Sequence, residues 1–139
     1  METKALYNIA EKSGITVDFL SLKENPALCL ELGGKGFIAL DKGLVGRSYA
    51  ERVALAHELG HLLAGALYPV GQDQNTVLKH EQVAQRWAFK LLVPFDELLP
   101  LLKEGTDSVS ELAERFEVTE EFMQKALGFY SETATCRQN

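Results

Sequence analysis

The chain has 139 residues, 46% of them hydrophobic and 24% charged. That is enough for one core and too little for two domains that each stand alone. Twenty acidic residues against fourteen basic ones give a net charge of −6, which argues against a duplex-DNA binder whose affinity rests on neutralising phosphates. No apolar run approaches the ~20 residues of a membrane span, and the start carries no charged-then-apolar leader. Cys29 and Cys136 are far apart and lack metal-ligand spacing, so neither a structural disulfide nor a cysteine metal site is expected, and the expected compartment is the cytoplasm.

In chain order, residues 5–13 read as a helix stopped by Gly14, and residues 15–19 alternate as a short strand. Residues 27–32 and 37–40 are β-compatible runs around Gly33-Gly34-Lys35-Gly36, a hairpin signal. Asp41-Lys42-Gly43 then closes a small antiparallel sheet. An exposed edge strand in such a sheet suits an extended substrate backbone, which would add to it as a further strand. The next helix is expected over residues 48–66, since it must stop before Tyr68-Pro69.

This helix carries His57-Glu58-Leu59-Gly60-His61. Residues four apart share a helical face, so His57 and His61 offer two imidazole nitrogens to one ion. Glu58 is offset from the pair, and from there it reaches a water on the metal without ligating, the general-base role of H-E-x-x-H spacing. The plainer reading, two core histidines, fares poorly. Two unpaired imidazoles and a carboxylate among Val53-Ala54-Leu55-Ala56 and Leu62-Leu63-Ala64 would be costly to bury, and a metal removes that cost.

A catalytic zinc needs a third protein ligand and keeps a fourth position for water. Residues 69–76 read as a polar connector, and Glu81 then opens a second apolar-periodic helix ending at Pro94, with Val83, Ala84, Trp87, Ala88, Leu91 and Leu92 as its buried stripe. Packed on the motif helix, it carries Glu81 inward as the third ligand. His80 competes, either as a ligand or as a hydrogen-bond donor beside the metal. Gln85, one turn after Glu81, is placed to accept the ring N–H of His57 or His61, the alternative being an exposed helical glutamine. For the donor that stabilises the reacting oxygen, His80, Tyr68, Tyr130 and Arg47 all stay open.

After Pro94 the chain reads as helical with Pro100 interrupting, and Ser108-Val-Ser-Glu111 is a capping box. Residues 112–127 have a helix-turn-helix pattern with Thr119 as the second cap. That second helix begins Glu120-Glu121 and offers only Gln124 and Lys125 to bases, so a packing appendage or a partner surface is preferred over DNA reading. The organisation expected is one α+β domain over 1–139. It has a core at 5–94, in which the sheet packs on the active-site helix pair, a helical extension at 95–130 and a flexible tail at 131–139.

Two stretches carry a family resemblance: Arg52-Val-Ala-Leu-Ala-His-Glu-Leu-Gly-His-Leu-Leu, and Glu81-x-x-Ala84-x-x-Trp87-Ala88-x-x-Leu91-Leu92-Val93-Pro94. The chain resembles the ImmA/IrrE family of zinc metallopeptidases, relatives of the gluzincins. It departs from the family's second motif with Gln85 for Asn, Trp87 for Phe and Val93 for Met. The resemblance implies a zincin-like fold, zinc as cofactor, and a helix-turn-helix repressor of a mobile element or stress operon as the protein substrate. A regulator that binds a repressor without cutting it stays open, and a DNA-binding module is the weakest of the three.

Overall fold

Ser13 and Gly14 end helix α1 (Thr3–Lys12), which buries Leu6 and Ala10, and strand β1 (Ile15–Leu20) follows directly. The computed structural model describes residues 1–69 and 71–134. Strands β2 (Ala27–Leu32) and β3 (Lys35–Asp41) form the expected hairpin, with Cys29 opposite Ile38. The sheet order is β1-β3-β2, and β1 runs parallel to β3, so the sheet is mixed and not antiparallel throughout. Burial accounts for this. Ile38, Ala39 and Leu40 are all fully buried, and a strand with successive residues buried on both faces is best placed in the centre with partners on both sides. Residues 21–26 cross the end of β3 to make that possible, and Asp41 holds the crossing by accepting the Leu22 and Gly43 amides, each at 2.9 Å.

Helix α2 (Ser48–Leu63) packs across the sheet with Leu55, Ala56 and Leu59 fully buried. It ends three residues earlier than Tyr68-Pro69 demands. Gly65 at φ 68° takes the left-handed conformation beyond the cap, and the Ala66 amide bonds back to the His61 carbonyl at 2.9 Å, a Schellman-type stop that glycine favours. Helix α3 (Gln74–Leu92) begins well before Glu81, because Asp73 caps it by accepting the Thr76 amide at 2.9 Å. Its first two turns face solvent and so carry no apolar periodicity. Glu81, Gln85, Ala88 and Leu92 form one stripe against α2, whereas Val83, expected in that stripe, is 40% exposed.

The closest approach in this helix pair is at Gly60. A Cβ there would lie 2.6 Å from the Ala84 carbonyl oxygen, so only glycine allows the two backbones to meet at this separation.

Helix α4 (Phe95–Lys103) passes through Pro100 without breaking, held by buried Leu98 and Leu101. Helices α5 (Val109–Phe116) and α6 (Glu120–Ala134) start at the expected caps, Ser108 and Thr119. Their apolar residues Leu112, Ala113, Phe122, Met123 and Ala126 are committed to the core. Residues 131–134, expected as tail, continue α6, and the rest of that expectation, 135–139, lies outside the described residues. No helix among the described residues is long and apolar enough to cross a membrane.

Candidate metal centre

Three side chains from two helices meet at one point. His57 Nε2 lies 3.0 Å from Glu81 Oε1, His61 Nε2 lies 2.6 Å from Glu81 Oε2, and the two Nε2 atoms are 3.2 Å apart. Ligand atoms of a tetrahedral ion at bond lengths of about 2.0–2.1 Å are about 3.3 Å apart, so admitting one requires an opening of less than about 1 Å. His57, His61 and Glu81 are the only cluster of three such groups among the described residues.

The outer nitrogens of both rings are occupied, which decides where the inner lone pairs point. His61 Nδ1 donates to the Ala66 carbonyl at 2.8 Å. A carbonyl only accepts, so Nδ1 carries the hydrogen and Nε2 of the neutral ring is free to ligate. The turn that stops α2 therefore also orients a histidine of the motif. His57 Nδ1 lies 2.8 Å from Gln85 Oε1, which fixes the second ring in the same sense. With the outer nitrogens engaged in this way, the donor set suits a divalent ion bound by imidazole and carboxylate.

The electrostatics agree. Burial works against charging His57, but its hydrogen bond with Glu81 and the nearby Glu58 charge prevail and raise the imidazole above its ordinary value. His61 is raised in the same way, with burial again opposing and Glu81 foremost among the causes that prevail. The two rings hold Glu81 well below the usual carboxylate range. Glu58 moves oppositely. Burial, with 9% of the residue exposed, pushes it above that range despite the neighbouring histidines.

Glu58, His61, Tyr68 and Glu81 line a cavity of about 320 Å³ together with Cys29 and Leu30 of β2. Cys29 was not expected near this centre. It lies on β2 facing α2, where its thiol donates to the Glu58 carboxylate, and burial raises the thiol so that it stays protonated. Tyr68 donates to Glu81 Oε2 at 3.3 Å. His80 is outside the ligand cluster, with its ring tilted against that of Tyr68 at 5.8 Å between centroids. Two other expected oxygen-stabilising candidates are elsewhere: the Tyr130 hydroxyl donates to the Val93 carbonyl at 2.7 Å, and Arg47 is exposed at the start of α2.

Residues 10–127 match the peptidase M78 family, described as the IrrE N-terminal-like domain. The chain belongs to the peptidase M78 family. The matched span includes every residue of the candidate metal centre and all three strands, so the M78 domain and the α+β fold coincide. No curated protein and no solved structure matches the chain significantly. As an M78 peptidase it is a member of a metal-dependent family, consistent with the His57, His61 and Glu81 cluster.

Proposed function

We propose that this M78 protein is a cytoplasmic zinc-dependent endopeptidase whose substrate is a protein, specifically a helix-turn-helix repressor of a mobile element or stress operon. The observation that carries this reading is the convergence of two Nε2 atoms and one carboxylate beside the buried Glu58. His57, His61 and Glu81 are the ligands of the ion in this reading. A bound zinc supplies Lewis acidity, polarising the scissile carbonyl and acidifying water.

Glu58 takes the proton of the attacking water and passes it to the departing amine nitrogen, so one carboxylate is base and then acid. The Cys29 thiol, which lines the same cavity, donates to that carboxylate. The substrate backbone pairs with β2, which is an edge of the sheet, borders the cavity, and has neither lysine nor proline along its length to discourage pairing. Leu30 and Leu32, 60% and 86% exposed, add apolar surface beside that edge.

The repressor assignment rests on the family resemblance, and the test is direct. Purified protein loaded with zinc is incubated with helix-turn-helix repressors encoded near its gene, with and without a chelator. Cleavage that stops with chelator and returns with zinc supports the reading. Binding without cleavage transfers the protein to the class of non-proteolytic, metal-dependent regulators.

A further inference from the structure

Hydrolysis through Glu58 accounts for protons but leaves the carbonyl oxygen of the substrate needing a hydrogen-bond donor as it gains charge, commonly a large contribution to catalysis. We propose that Tyr68 is that donor, an assignment that rests on the peptidase reading above. Its phenol lines the same cavity as Glu58 and lies 3.3 Å from the Glu81 oxygen that also approaches His61 Nε2. The hydroxyl is therefore next to the point where the ligand atoms converge. That 3.3 Å contact is long for an O–H···O bond, so the hydroxyl is weakly held and available to a better acceptor.

The two walls of the cavity divide the work. Glu58 is backed by Cys29 of β2, and Tyr68 by Glu81 and His80 of α3. A carbonyl between them meets a proton carrier on one side and a neutral donor on the other. A phenol offers such a carbonyl a neutral O–H donor. Orientation is provided in advance: the Tyr68 ring meets His61 edge-on at 6.0 Å and lies tilted against His80 at 5.8 Å. Pre-set orientation of this kind makes such a donor effective.

The other candidates are excluded by position. Tyr130 is bonded to Val93. Arg47 precedes His57 by ten residues along α2, about 15 Å at the helical rise. His80 does not line the cavity and supports the Tyr68 ring from behind.

The test uses zinc-loaded wild type and Tyr68→Phe, which removes one oxygen from a half-buried ring. Two probes are titrated: an N-phosphoryl leucine dipeptide, whose anionic oxygens mimic the charged carbonyl oxygen, and a mercaptoacyl leucine dipeptide, which reaches the ion through sulfur. Tyr68→Phe should bind the phosphoryl probe roughly 10- to 100-fold more weakly, with the thiol probe, zinc stoichiometry and melting temperature unchanged. On any substrate cleaved, kcat should fall with KM retained. Unchanged phosphoryl affinity overturns the assignment, and so does equal weakening of both probes or loss of zinc, which would make Tyr68 a support for Glu81. If wild type holds zinc yet binds neither probe, the peptidase reading itself fails and Tyr68 falls with it.

Discussion

His57 and His61 are fixed by different means. One ring is held by a side chain of the neighbouring helix, Gln85, and the other by the main chain of its own helix stop at Ala66. Both inner nitrogens then depend on Glu81 to complete an ion's shell. Glu81→Ala should fold, because Glu81 is only partly buried, yet lose zinc affinity severely, since two imidazoles are an incomplete shell. His80→Ala should retain most of it. Isothermal titration with zinc checks both, and equal affinity in wild type and Glu81→Ala would contradict the ligand assignment.

The same groups predict opposite pH responses with and without metal. In protein stripped by a chelator, the raised His57 and His61 add stability that is complete below their ordinary value of 6.5 and is lost as pH rises through their raised values. The lowered Glu81 adds stability present above its ordinary 4.5 and lost as pH falls through its lowered value. The stripped protein's share of stability from this cluster should therefore be greatest between pH 4.5 and 6.5. Zinc must displace protons from those imidazoles, so its stabilising effect grows as pH rises. Melting curves from pH 4 to 8, with and without zinc, should diverge increasingly toward the alkaline end. Parallel curves would mean that these histidines are not ligands.

At the scale of elements, the contact between α2 and α3 sets the site. Gly60→Ala places a methyl 2.6 Å from the Ala84 carbonyl oxygen, so the helices must separate. We expect about 1–3 kcal/mol of destabilisation and weakened zinc binding, read by melting and titration, although Gly60 touches no ion. Retained affinity would show that the spacing is not limiting. The ligand pair was legible in the sequence because i, i+4 spacing is local geometry. Cys29, the Ala66 carbonyl and the role of Gly60 were not legible, because each reaches the site through a turn or a contact between elements distant in sequence. For the same reason the start of α3 was set too late, since its first turns lie in solvent and leave no apolar pattern. The parallel pairing of β1 depends on which strand is central, something residues 15–19 do not encode alone.

Across the whole molecule, Arg52 binds the C-terminal helices to α2. It is 2% exposed and donates to the carbonyls of Glu117 at 2.9 Å and Phe116 at 3.3 Å, and to the Thr3 hydroxyl at 3.3 Å. It thus ties α1, α2 and the end of α5, where Glu117 turns left-handed at φ 56°. Arg52→Met leaves those carbonyls without a donor and should destabilise the fold by about 2–4 kcal/mol. Zinc affinity measured well below the melting temperature should remain, because no ligand is moved. Denaturant unfolding checks the first part, and a near-wild-type midpoint would refute it. The helix-turn-helix pattern of residues 112–127 is explained at this scale too: its apolar positions build the core of the domain.

In the proposed mechanism Glu58 is the proton carrier and not a ligand. The most direct measurement is cleavage of a protein substrate by wild type and Glu58→Gln at equal zinc occupancy. The amide cannot accept water's proton, so Glu58→Gln should bind zinc and substrate as wild type does and cut at least about 10²–10⁴-fold more slowly. Cleavage at the wild-type rate by Glu58→Gln, with zinc equally bound, would contradict the account.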